Sequence, residues 1–167
     1  MGNDPTTLLP TSLRIGYGED SHPLEAGREL WLGGLRIDSE RGAVAHSDGD
    51  VLLHALSDAL LSAFALGDIG SLFPDTDPQW RGLASRVILG AVLEQVRAQG
   101  YRAAQVSAVV MLDRPKLAPH RSAIQQNLAR LLELPQDRVG ITCKTSEKLA
   151  PDHVQCRVLV LLEPQSL

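Results

Sequence analysis

The sequence predicts an α/β fold of the α+β kind. It would be a two-layer sandwich of a mixed β-sheet with helices packed on one face, plus a small β-hairpin. Three observations predict it. Short β-branched and apolar runs are separated by longer runs of helical period. Val158 to Leu162 is continuously apolar, as a strand in the middle of a sheet is. Val51 to Leu66 is apolar nearly all round a helix, so that helix belongs inside the fold.

Residues 1–12 read as a disordered leader with Pro5 and Pro10, and without the basic and apolar regions of an export signal. Residues 13–167 then form one domain, long enough to bury about two-thirds of its unfolded surface. Leu13 to Gly18 is a strand, and Leu30 to Ile37 is a hairpin turned at Gly33-Gly34. Arg41-Gly42 reads as a loop. The helix over Val51 to Leu66 takes Asp50 as its N-cap and Gly67 as its stop. A second helix runs over Leu83 to Gln99, a strand over Val106 to Leu112 and a third helix over Pro119 to Leu132. Strands over Val139 to Thr145 and Gln155 to Leu162 complete the chain.

Of the 167 residues 44% are hydrophobic and 22% charged, the composition of a soluble globular protein. A net charge of −4 argues against nucleic-acid binding, which needs a basic footprint. No apolar run reaches membrane-spanning length, and the chain reads as cytoplasmic. Cys143 and Cys156 lie in strand-like segments that could be neighbours. A disulfide is one reading, and small reduced buried residues, the reading favoured for a cytoplasmic chain, is the other.

Asp20 and His22 are two residues apart, so on extended backbone their side chains leave one face and can grip one ion. His54 supplies a third ligand from a helix. A carboxylate with two imidazoles suits zinc, and three protein ligands leave a fourth position open. Asp20-Ser21-His22 could equally be an Asx turn ending a strand. The helix carrying His54 has one polar stripe, Asp50, His54, Ser57, Asp58 and Ser62. Asp50 or Asp58 could accept from the second ring nitrogen of His54. Alternatively the stripe faces a wet cleft or another subunit.

Two further groups of loops carry reactive side chains. Gly67 to Gly70 and Phe73 to Pro78 are rich in carboxylate, glycine and proline. Asp113 to Leu117 and Lys144 to Lys148 each follow a strand, where α/β sheets gather ligands. Lys144, Thr145 and Ser146 suit phosphate oxygens, and Glu147 could hold a hard cation such as Mg²⁺, although such a run is also an ordinary solvated strand end.

At these residues the sequence resembles the 2-C-methyl-D-erythritol 2,4-cyclodiphosphate synthase family. The matching pieces are Arg14 to His22, Ala45 to His54, Gly67 to Gly70, Phe73 to Asp77, Arg114 to Leu117 and Thr145 to Leu149, in that order. The resemblance implies a phosphorus–oxygen lyase of the non-mevalonate isoprenoid pathway, a homotrimer with active sites between subunits. Its substrate would be the cytidine diphosphate ester of methylerythritol 2-phosphate, whose own 2-phosphate attacks and expels CMP. One zinc per subunit would sit on Asp20, His22 and His54, and Mg²⁺ or Mn²⁺ on Glu147. His46 and Ser47 would contact the methylerythritol phosphate end, and His46 with Thr145 would stabilise the transition state. Asp68 and Gly70 would meet the ribose, Ile69 between them would also bind substrate, and Phe73, Pro74, Asp75, Thr76 and Asp77 would line the erythritol pocket. Leu112, Asp113, Arg114, Pro115, Lys116, Leu117 and Ala118, with Lys144, Ser146 and Glu147, would hold the cytidine and its phosphates.

Two departures stand beside this resemblance. Ala150 to Val154 replaces a longer glycine- and arginine-bearing segment, so contacts near the trimer axis do not carry over. Lys144 stands where the family commonly has threonine. A phosphodiesterase with water as nucleophile, and a non-catalytic trimer that binds a nucleotide or isoprenoid phosphate, are the competing readings.

Overall fold

Strand β1 spans Arg14–Ala26 and so continues well past Gly18, where its apolar pattern stops. The computed structural model describes residues 12–165 except 75 and 81, and it carries Asp20 and His22 inside this strand. Backbone pairing runs without a break from Arg14↔Leu162 to Pro23↔His153, which excludes the Asx turn. The expected leader lies outside the described residues apart from Ser12.

The hairpin is present as β2 (Leu30–Leu32) and β3 (Leu35–Ile37). Gly33 and Gly34 both take positive φ, 62° and 80°, as a type I′ turn requires. Arg41-Gly42 is not a loop but part of β4 (Arg41–Ala43), paired antiparallel with the end of β1. Three residues are too few to show strand periodicity, and the pairing alone makes them a strand.

Helix α1 (Val51–Ser62) starts at the expected cap, with the Asp50 carboxylate accepting from Leu53 N. It stops at Ser62 rather than Leu66, and a φ of 55° at Ala65 takes the chain off the helical path. A short helix, α2 (Ile69–Leu72), is capped by Asp68. Then follow α3 (Ser85–Ala98), β5 (Tyr101–Leu112), α4 (Arg121–Leu132), β6 (Val139–Lys144) and β7 (His153–Pro164). Strand β5 begins at Tyr101 rather than Val106 because its first residues pair with the end of β7.

The main sheet has the order β4-β1-β7-β5-β6, with β5 and β6 parallel and the other pairs antiparallel. β7 is central, as its apolar run predicts. Helices do not cover both of its faces, however: Val158 and Val160 are fully buried while Leu159 between them is 46% exposed. Ile15, Tyr17 and Val109 are exposed as well, so the uncovered face of the sheet is itself largely apolar. Cys143 and Cys156 both register with Val110 of β5, one from each side. An intervening strand separates them, and both are free thiols.

The contact of α1 with β1 positions the site. A Cβ on Gly16 would lie 1.8 Å from the Ala59 carbonyl oxygen, and one on Gly18 would lie 2.2 Å from that of Ala55. Glycine is therefore what lets the helix lie directly on the strand. With a side-chain period of two, Asp20 and His22 continue that same face toward α1.

Candidate metal centre and its cleft

Asp20 and His22 from β1 and His54 from α1 bring one ligand atom each to within 4.8 Å of one another. Asp20 Oδ2 is the hub, 3.0 Å from His54 Nδ1 and 2.9 Å from His22 Nε2. The second approach lacks hydrogen-bond geometry, so His22 Nε2 is buried with no hydrogen-bond partner among the described residues. A buried ring nitrogen left this way is costly, and a cation shared with Asp20 and His54 is the partner that would satisfy it. Burial pushes the Asp20 carboxyl up, but the two imidazoles outweigh it and hold the group well below the carboxylate range. Burial pushes His54 down, but the Asp20 carboxylate, with Asp50 and Asp48, holds it above its ordinary value. The corner therefore favours positive charge, and the residues present fit a divalent metal.

Neither Asp50 nor Asp58 serves the other ring nitrogen of His54. Asp50 is fully buried and accepts from the backbone of Gly33, Gly34 and Leu53, which ties the hairpin turn to the start of α1. Asp58 accepts from Ile69 N and so fixes α2. The rest of the polar stripe is also satisfied within the chain. Ser57 donates to the Leu53 carbonyl, and Ser62 donates to the Tyr17 carbonyl while accepting from Tyr17 N. His54 Nε2 faces two hydroxyls instead, Ser85 Oγ at 2.8 Å and Ser47 Oγ at 3.2 Å.

A cleft of about 510 Å³ opens beside this corner. His22, His46, Ser47, His54, Ile69, Gly70 and Phe73 line it, all singled out from the sequence. Arg28, Trp80, Leu83 and Ile88 line it too, and nothing in their local sequence marks them. Trp80 packs edge-on against Phe73, with ring centroids 5.1 Å apart. Asp68 sits at the N-cap of α2 with Oδ1 accepting from Ser71, which lowers its pKa. Pro74, Thr76 and Asp77 follow in the adjoining loop, and Asp75 lies outside the described residues.

The remaining candidates stand apart. Among the described residues none of Leu112 to Ala118 and none of Lys144 to Glu147 lines this cleft. They occupy the same end of the sheet, since His22 and Leu112 both register with Val154. β7 and β5 lie between β1 and β6, however, a lateral separation of about 14 Å. Within one chain Thr145 therefore does not meet His46. The two loops are joined to each other through Asp113, which accepts from Ser146 N at 2.6 Å and Ser146 Oγ at 2.9 Å. Those bonds lower the Asp113 pKa. The Ser146 hydroxyl also accepts from Ala150 N, and Thr145 Oγ1 donates to Glu147. Lys144 and Lys116 project from this pair of loops as exposed cations.

A three-ligand Asp/His corner opening on a cleft, in a mixed sheet backed by helices, is the architecture of a metal-dependent enzyme. The chain belongs to the YgbB family, which matches residues 13–163. It is 66% identical over 151 residues to a 2-C-methyl-D-erythritol 2,4-cyclodiphosphate synthase of Thermus thermophilus, covering 90% of this chain and 99% of that one. A solved structure of 2C-methyl-D-erythritol-2,4-cyclodiphosphate synthase is 65% identical and superposes with a TM-score of 0.87, over 90% of this chain and all of that one. A CDP-bound form of such a synthase is 63% identical, with the same TM-score and coverage.

Proposed function

We infer that this chain converts 4-diphosphocytidyl-2-C-methyl-D-erythritol 2-phosphate into 2-C-methyl-D-erythritol 2,4-cyclodiphosphate and CMP, in non-mevalonate isoprenoid synthesis. The observation that carries this is an intact Asp20–His22–His54 corner facing a cleft, in a chain 66% identical along nearly the whole of a relative with that name. An oxygen of the 2-phosphate bonds to the β-phosphorus, the bond from that phosphorus to the bridging oxygen breaks, and the electron pair leaves with CMP. The nucleophile belongs to the substrate, which explains why the site needs no activated serine or cysteine.

Zinc on Asp20, His22 and His54 would supply a Lewis acid for the phosphoryl oxygens, and Mg²⁺ or Mn²⁺ on Glu147 would offset diphosphate charge. The chain's own residues position and stabilise. His46 and Ser47 sit at the cleft surface where donors would meet the methylerythritol phosphate. Ile69, Gly70 and Phe73 line the same cleft. Asp68 and Gly70 would meet the ribose, with Ile69 between them, and Phe73, Pro74, Asp75, Thr76 and Asp77 would line the erythritol pocket. Leu112 to Ala118, with Lys144, Thr145, Ser146 and Glu147, would hold the cytidine and its phosphates. His46 and Thr145 would face the charge that grows on the leaving phosphate.

The proposed assembly is a homotrimer whose sites form between adjacent subunits. Two facts support it: the two halves of the site lie apart within one chain, and the open sheet face exposes Ile15 (66%), Tyr17 and Leu159. Among the described residues no helix is long and apolar enough to cross a membrane, and we place the enzyme, as a single domain over residues 13–167, in the cytoplasm.

The test is a product assay with zinc, Mg²⁺ and the cytidine diphosphate substrate, followed by phosphorus NMR. Equal amounts of CMP and cyclic diphosphate are expected. CMP with an open-chain product would instead make the protein a phosphodiesterase, and bound nucleotide without turnover would make it a binding protein.

A further inference from the structure

The imidazole of His54 offers two nitrogens, and only one can point a lone pair at Asp20 and His22. Nδ1 is the one beside Asp20 Oδ2, at 3.0 Å. What holds the ring this way round lies on its other side. Ser85 Oγ is 2.8 Å from Nε2, and Ser85 is fully buried at the first turn of α3. The same hydroxyl makes a very short contact with Asp48 Oδ1, while Asp48 Oδ2 accepts from Ser85 N at 2.9 Å. Asp48 Oδ1 also accepts from Asp50 N at 3.1 Å.

Proton counting then fixes the direction of each bond. The Asp48 carboxylate can only accept, so the single hydroxyl proton of Ser85 goes to Asp48. Ser85 Oγ is left with lone pairs toward His54, so Nε2 must carry the proton and donate. In the neutral ring that binds a metal, Nδ1 is then the unprotonated nitrogen, with its lone pair toward the metal corner. Ser47 Oγ, farther away at 3.2 Å, accepts from Gly49 N, which leaves its proton free for the cleft.

We propose that Ser85, oriented by Asp48, is a positioning residue that sets the tautomer and ring orientation of His54 as a metal ligand. It touches neither substrate nor metal and acts only through His54. The inference rests on the metal reading of the Asp20–His22–His54 corner and extends it to a second layer of residues. It also gives a task to Asp48, the first of the two carboxylates of His46-Ser47-Asp48-Gly49-Asp50, which the proposed substrate contacts leave without one.

The test measures zinc affinity by chelator competition on the purified full chain and reads the His54 ring nitrogens by ¹⁵N NMR of the zinc-loaded protein. The wild type should show a protonated Nε2 and a metal-bound Nδ1. Ser85→Ala should weaken zinc binding by roughly 10- to 100-fold. Ser85→Thr, which keeps the hydroxyl, should restore most of it. Zinc bound as tightly by Ser85→Ala as by the wild type would overturn the proposal. So would a wild-type His54 carrying its proton on Nδ1, a measurement that stands even if the alanine variant fails to fold. A wild type that takes up no zinc would overturn the metal reading as well, whereas normal uptake with an indifferent Ser85→Ala overturns this inference alone.

Discussion

The metal corner and the two loops proposed to hold phosphate lie at the same end of one sheet, yet they are built differently. Asp20, His22 and His54 stand on a strand and a helix in direct contact, and α1 is tied at its start by Asp50 and at its end by Ser62. Their orientation is set before any ligand arrives. Thr145, Glu147 and Lys148 stand on a turn, the last two at positive φ, held locally by Asp113 and Ser146. A metal corner gains from rigidity, because ligand atoms tolerate only small errors in position. Loops proposed to hold a nucleotide need no such fixed geometry beforehand.

The sharpest way to break this contrast is to separate the strand from the helix. Gly18→Ala sets a methyl group against the Ala55 carbonyl and should lower the melting temperature by roughly 10 °C. Zinc should be lost with it, as calorimetry and metal analysis would reveal; an unchanged melting curve would mean the contact is not rigid.

His54→Ala is more selective. Bound zinc and cyclase activity should disappear together while the fold persists, which metal analysis and circular dichroism would check. Full activity without zinc would remove these residues from the site.

On the loop side the effects should be smaller and confined to nucleotide. Ser146→Ala removes the hydroxyl half of the tie between the two loops, leaving the backbone bond to Asp113, and should raise KM for the cytidine substrate by about 5- to 10-fold with zinc content unchanged. A loss of zinc in this variant would show that the two regions are coupled. The mildest change is Glu147→Gln, for which the Mg²⁺ concentration giving half-maximal rate should rise by about threefold to tenfold. An unaltered Mg²⁺ response would free Glu147 from that role.

Much of the metal corner is legible in the sequence because it is local: a two-residue spacing puts Asp20 and His22 on one face, and the polar stripe marks His54. The glycine hairpin and the central place of β7 are legible for the same reason. The second acceptor of His54 is not. Asp50 and Asp58 are its helical neighbours, but both carboxylates are taken by backbone N–H groups brought from other elements. Ser85, 31 residues away from His54, resembles any polar residue at a helix start. Gly16 and Gly18 read as ordinary strand residues until a helix backbone is laid across them.

The sequence alone therefore determined the three candidate ligands and, apart from β4 and α2, the order of strands and helices, because both depend on local period and side-chain chemistry. Only the tertiary structure decided how far β1 extends, that Arg41–Ala43 is a strand, which hydroxyls face His54, and that one chain keeps the metal corner and the Thr145 loop on strands about 14 Å apart. Strand pairing and buried hydrogen bonds are settled between segments distant in sequence. Which of several equally suitable donors meets a given acceptor depends on how the layers pack.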